Sequence, residues 1–82
     1  GMQLKDTSES ELKELNAENG VKVVINRNGT LFRMGIRSGY ILSEINNVKI
    51  SNTSDLKSFE RENIFQISFI DLNGEKEKLV FD

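Results

Sequence analysis

The chain of 82 residues contains no cysteine and no histidine. Without cysteine it can form neither disulfide bonds nor thiolate metal sites. Without histidine as well, it cannot build a Ser-His-Asp triad, a Cys-His pair or the usual zinc sites. We therefore expect this chain to have no catalytic site of its own, and to use no metal or other cofactor.

Charge of one sign and long apolar runs are also lacking. Eleven basic and thirteen acidic residues give a net charge of −2, and the two signs are interspersed, so no basic surface is expected to attract phosphates. No apolar run approaches the roughly 20 residues that span a bilayer, and no signal-peptide pattern opens the chain. We expect neither nucleic-acid binding nor membrane insertion.

What is present suits one small folded domain. Hydrophobic residues make up 37% of the chain and charged residues 29%, which is ordinary for a globular protein. At this length a second core could not be closed, so residues 1–82 are predicted to be a single domain. Gly1 precedes Met2 and is compatible with a native residue or with the remnant of a cleaved tag.

The first half of the chain alternates between strand and helix signals. Residues 2–5 alternate apolar and polar, as in a short strand. Ser8 and Glu11 form a capping box that predicts a helix ending at Asn19-Gly20. The β-branched run at 21–25 predicts a buried strand.

A short helix, a strand and two turns are predicted next. The turn at Asn28-Gly29 leads into a short helix that Gly35 closes, with Ile36 as a core residue behind it. Residues 40–45 read as a strand, and Asn46-Asn47 turns the chain toward a short extended piece at 48–50.

The last third predicts a helix and a hairpin. Asn52 and Asp55 cap a helix that should run to about Glu62. Strands at 64–72 and 75–81 flank Asn73-Gly74, a two-residue hairpin signal. We expect Phe65, Phe69 and Phe81 in the core, Gln66 and Ser68 on a wetter face, and the alternating charges of 75–78 on a solvated arm.

Together these elements predict an α+β fold, a small partly open β-barrel or sandwich of five to six strands capped by two helices. Each of these strands and helices has one apolar face, and a single shared core can bury all of these faces.

The spacing Gly35-Ile36-x-x-Gly39-x-Ile41-Leu42-x-x-Ile45-Asn46 resembles the central signature of PDZ domains of the bacterial HtrA/Deg-type serine protease family. The resemblance covers residues 20–82 well and the first nineteen loosely, as a permuted bacterial topology. The chain departs from the family at Tyr40, where Asp is usual, and at Thr30-Leu31-Phe32, where Pro-Ala-Ala is usual. We interpret both departures as substitutions that the same core accommodates.

The resemblance implies a peptide- or C-terminus-binding regulatory module of a larger HtrA/Deg-type serine endopeptidase. Binding would be by β-strand addition between the first strand and the main helix. Glu60 stands where the family commonly offers Leu, so an apolar pocket wall is missing there and an incoming carboxylate would be repelled. The implied peptide-binding residues are Gly1, Met2, Gln3 and Leu4 on the strand side and Thr53, Lys57, Glu60 and Arg61 on the helix side.

The implied partners are an extended peptide or protein C-terminus and the module's own protease domain, with the bacterial cell envelope or periplasm as the location. The alternative is a structural or oligomerisation module of a protease that has no free peptide ligand and makes homo-oligomer contacts through the parent. A parent of another protease class stays open as well.

Overall fold

A computed structural model describes residues 2–25 and 29–81. Gly1 and Asn28 therefore lie outside the described residues. The described chain forms six strands, two short α-helices and one 3₁₀ helix. In chain order they are β1 (Met2–Asp6), α1 (Glu9–Glu14), β2 (Val21–Ile25), α2 (Thr30–Arg33), β3 (Ile41–Ile45), β4 (Val48–Lys49), the 3₁₀ helix (Thr53–Phe59), β5 (Gln66–Ile70) and β6 (Lys76–Val80).

All six strands belong to one antiparallel sheet with the order β1-β2-β3-β5-β6, and β4 pairs with β3. Strands β1 and β6 lie at its two ends, so the sheet is open. The prediction of a small α+β domain with five to six strands is confirmed at this level. Three helical segments accompany the sheet, one at each of the three places where the sequence predicts a helix.

Helix α1 begins as predicted and ends earlier than predicted. The Ser8 hydroxyl accepts from the Glu11 N–H at 3.2 Å, and the Glu11 carboxylate accepts from the Ser8 N–H at 3.0 Å. The expected end at Asn19-Gly20 is wrong, because Asn16 already adopts a left-handed φ of 55°. The N–H groups of Asn16 and Ala17 then bond to Lys13 and Leu12 carbonyls, a Schellman motif that stops the helix.

Helix α2 closes by the same motif and positions a core residue. Gly35 has a φ of 101°, and its N–H bonds to the Phe32 carbonyl at 3.1 Å. The Ile36 N–H reaches back to Leu31 at 3.0 Å, which turns the Ile36 side chain inward until only 1% of it is exposed. Both the closing glycine and the buried Ile36 are confirmed.

Two asparagine-rich turns fix the hairpins. Asn46 and Asn47 have φ values of 52° and 65° and join β3 to β4, as predicted. The hairpin at Asn73-Gly74 forms too, but its loop has three residues, since Asp71 N–H bonds to the Glu75 carbonyl at 2.8 Å. The Asp71 carboxylate orders this loop by accepting from two of its N–H groups.

One apolar cluster lies against the sheet. Phe69 is fully buried within it and Phe81 packs against it, as expected. The prediction for Phe65 is wrong: 46% of it is exposed, because it precedes β5 at the end of the sheet. The buried cluster consists of Val21, Val23, Ile36, Leu42, Ile45, Ile50, Phe59, Ile67 and Phe69.

The expectation of a wetter face on β5 is also wrong. Gln66 and Ser68 are each 1% exposed. The Gln66 side chain accepts from the Asn47 N–H at 2.7 Å and donates to the Ser68 hydroxyl. Polar side chains can be buried when their groups are hydrogen-bonded, and alternation in the sequence does not reveal that pairing.

Strand β2 starts at a point of very close approach to β3. Gly20 has a φ of 143°, and a Cβ added there would meet Ile41 Cγ2 and lie 2.7 Å from the Leu42 carbonyl oxygen. Thr7 fixes the same residue by donating to the Gly20 carbonyl at 2.6 Å. Only glycine therefore lets β2 sit against β3 here.

We expect Gly20→Ala to lower the free energy of unfolding by about 2–5 kcal/mol, from backbone strain and overpacking together. Gly35→Ala is the matched control, since its φ is also positive but no described atom lies within 4 Å of the added Cβ. The free energy of unfolding of that variant should fall by only about 1–2 kcal/mol. Urea denaturation measures both, and equal losses would contradict the close approach.

A pH-dependent ion pair joins α1 to the sheet. The hydrogen bond from Lys22, with the Ser8 N–H next, lowers the pKa of the Glu11 carboxyl from 4.5 to about 2. The lowered pKa means that the folded state favours the charged carboxylate. The ion pair therefore stabilises the folded state above pH 4.5, and this contribution is lost as the pH falls toward 2.

We expect Glu11→Gln to be less stable than the parent chain at pH 7 and to approach it in stability between pH 4.5 and pH 2. Glutamine keeps the capping box, so the variant isolates the charge. Urea denaturation at several pH values measures the difference, and a difference that stays constant with pH would refute this role of the pair.

Candidate functional site

Strand β1 is an edge strand along its whole length. Its five residues pair with β2, from Met2 opposite Ile25 to Asp6 opposite Val21. Among residues 2–25 and 29–81, no strand pairs with its other side. Such an edge presents unpaired backbone N–H and C=O groups to another chain.

The 3₁₀ helix lies beside β1. The two elements are in contact, and the Thr53 N–H donates to the Asp6 carboxylate at 2.8 Å. Leu4 and Leu56 are half-buried and pack against the same apolar cluster. We call the outer edge of β1 and the adjoining 3₁₀ helix the edge site.

The helix differs from the one predicted. Its cap is as expected: the Asn52 side chain accepts from the Asp55 N–H at 3.1 Å, and the Asp55 carboxylate accepts from the Asn52 N–H. The helix, however, is of the 3₁₀ type and ends at Phe59 instead of about Glu62. Only Leu56 and Phe59 give it an apolar stripe, and Ser58 bonds to the Asp55 carbonyl at 3.0 Å, so local polar groups compete with α-helical bonds.

The 3₁₀ geometry rearranges the predicted helix-side residues. Residues three apart are aligned in such a helix, so Thr53 is in register with Leu56 and Phe59, whose side chains pack in the core. Lys57 and Glu60 form a different row. That all three of Thr53, Lys57 and Glu60 face one ligand stays a prediction.

Lys57, Glu60 and Arg61 are all exposed. Arg61 follows the helix in a turn. On the strand side Gln3 is exposed and Leu4 is half-buried, while Gly1 is outside the described residues. The structure thus places Thr53 beside the end of β1 through its bond to Asp6, and the peptide-binding role of all these residues stays a prediction.

Two residues of the edge site were missed from the sequence. Asp6 joins β1 to the helix, and the predicted strand ended one residue before it. Leu56 is the helix's apolar contact with the cluster that Leu4 also meets, and the resemblance did not include it among the implied site residues.

Asn46, the last residue of the signature, has a structural role. Its side-chain oxygen accepts from the Phe65 N–H at 2.8 Å and the Gln66 N–H at 3.2 Å, while its amide nitrogen donates to the Asn63 carbonyl at 3.0 Å. It thereby ties the β3–β4 turn to the start of β5.

Two surface cavities lie away from β1. One of about 280 Å³ is formed where the 16–19 loop faces β3 and β6, with Glu44 and Lys76 as an ion pair at 3.6 Å on its wall. The other, of about 270 Å³, lies between β4 and the 3₁₀ helix, on the side of Asp55 and Ser58. The helix therefore has a β4 side and an opposite side.

No group of three or more acidic, cysteine or histidine side chains suited to a metal ion occurs among the described residues. None of the helices within 2–25 and 29–81 has the length and apolar character to cross a membrane.

Comparison with known proteins leaves the family open. No protein-family model and no curated protein matches the chain.

We expect Asp6→Ala to loosen the contact between β1 and the 3₁₀ helix at a cost of about 0.5–1.5 kcal/mol in unfolding free energy. The Thr53 amide should exchange with solvent faster, since its acceptor is gone. Asp6→Asn keeps an acceptor oxygen and should protect Thr53 better than Asp6→Ala does. Hydrogen exchange by NMR measures this, and an unchanged Thr53 rate in Asp6→Ala would contradict the link.

Proposed function

We propose that this chain is a PDZ-like peptide-binding module that adds an extended segment of a partner to the outer edge of β1, beside the 3₁₀ helix. The observation that carries the proposal is the unpaired edge of β1 along all five residues, bordered by a helix. Backbone pairing at such an edge supplies affinity, and side chains along the helix supply selectivity.

The placement of the signature residues supports the PDZ-like part of the proposal. Gly35 ends α2, Ile36 is buried behind it, and Ile41, Leu42 and Ile45 are buried in β3. The four apolar residues of the pattern are thus buried, and Gly35 occupies a left-handed position that favours glycine.

The proposed parent is an HtrA/Deg-type serine protease of the bacterial envelope, whose activity the module regulates. The resemblance of the signature supports this part. The coding sequence upstream of Gly1 tests it, since a His…Asp…Ser order there is expected for such a parent.

Titration of the ¹⁵N-labelled chain with an eight-residue extended peptide is expected to shift the amide signals of β1 and of the 3₁₀ helix. The amides of β6, at the other end of the sheet, are the internal control and should stay in place. Shifts confined to β6 or to the cavity beside β4 would refute the proposed site.

Two N-methylated forms of the same peptide test the strand-addition mechanism. In an antiparallel pair, alternate residues exchange N–H···O bonds with the neighbouring strand. Methyl groups on one set of alternate nitrogens should therefore abolish binding, and those on the other set should be tolerated. Equal loss or equal tolerance would speak against backbone pairing.

The second candidate is assembly of protomers through the same edge, which the open ends of the sheet favour. It predicts a molecular mass that rises with concentration in sedimentation experiments and no amide shifts with peptide.

A further inference from the structure

Resting on the proposed function, we propose that the bound segment carries an acidic residue followed two positions later by a basic residue, which contact Lys57 and Glu60. The edge site would then select an internal charged segment rather than an apolar C-terminus.

The helix type fixes which side chains are offered to a ligand. Leu56 and Phe59 pack on the core, and the half-buried Thr53 is in register with them. Asp55 and Ser58 form the row beside β4. The third row is Ser54, Lys57 and Glu60, all exposed and turned away from β4. Glu60 has helical φ and ψ of −59° and −29° and thus continues this row past the helix end.

The spacing in this row matches an extended peptide. A 3₁₀ helix rises about 2.0 Å per residue, which separates Lys57 from Glu60 by about 6 Å along the axis. Alternate side chains of a β-strand are about 6.4–6.8 Å apart. One ligand residue and the second one after it therefore stand opposite Lys57 and Glu60, whereas an α-helix would separate the two by only about 4.5 Å.

Both charges are available. The ion pairs among the described residues are Glu11 with Lys22 and Glu44 with Lys76, so Lys57 and Glu60 have no ionic partner in that part of the chain. The apolar side chains of the helix, Leu56 and Phe59, pack on the core. An apolar ligand side chain finds no pocket in this row, and Glu60 repels a free carboxylate.

The direction of the helix sets the order of the two ligand charges. Thr53, at the start of the helix, is bonded to Asp6, at the end of β1. A helix that begins at the end of β1 and is in contact with that strand runs back along it, opposite to β1. Antiparallel pairing with β1 is the more stable arrangement. A ligand paired in this way runs in the same direction as the helix, so its acidic residue opposite Lys57 precedes its basic residue opposite Glu60.

The test compares two acetylated and amidated peptides of the same composition, one with a central Asp-x-Lys and one with Lys-x-Asp. Binding is followed by the β1 amide shifts at low salt. We expect the acid-first peptide to bind about fivefold more tightly, as two exposed ion pairs allow. At 1 M salt, where the screening length is about 3 Å, the preference should vanish.

The double variant Lys57→Glu/Glu60→Lys keeps the net charge and should prefer the base-first peptide. The control double variant Glu77→Lys/Lys78→Glu reverses two exposed charges on β6 and should keep the original preference. Binding at β1 without an order preference, or a preference that the Lys57/Glu60 exchange leaves unchanged, overturns the inference and leaves the proposed function standing. If neither peptide shifts the β1 amides, both fall.

Discussion

The pairing between β2 and β3 holds the outer edge of β1 in position, and the proposed binding site depends on that edge. Among the described residues, β1 pairs with β2 alone. Strand β2 pairs with β3 at Val21 and Lys22, and the Val23 backbone bonds to Gly39 and Tyr40 just before β3. The junction is reinforced by the close approach at Gly20 and by the buried side chains of Val21 and Val23. A shift of β2 would move the whole β1 edge, because no other strand within residues 2–25 and 29–81 pairs with β1.

The second constraint is the form of the helix beside that edge. Its sequence supplies two apolar residues and several side chains that bond to the local backbone, so the helix is narrow and anchored by the cap at Asn52 and the link to Asp6. A 3₁₀ helix of seven residues is longer than most. Its threefold rows separate a core-facing row, a row beside β4 and an exposed row that carries Lys57 and Glu60.

Much of the fold could be predicted because the signals were local. The capping boxes at Ser8 and Asn52, the closing Gly35 and the asparagine turn at 46–47 all act within a few residues, and the structure contains each of them. The errors on β5 have non-local causes, because the burial of Gln66 and the exposure of Phe65 depend on partners that the sheet brings together. The early end of α1 has a local cause: Asn16 adopts the left-handed φ before the chain reaches Asn19-Gly20.

For the site, the sequence located the strand and the helix but not their geometry. The pattern of residues 53–60 fits an α-helix as well as a 3₁₀ helix, and only the second puts Thr53 in register with both Leu56 and Phe59. The most direct test of the account is a set of intermolecular NOEs between a bound peptide and this chain. The account predicts cross-strand contacts between α-protons of the peptide and of β1 in antiparallel order, and contacts to β6 or to the cavity beside β4 instead would contradict it.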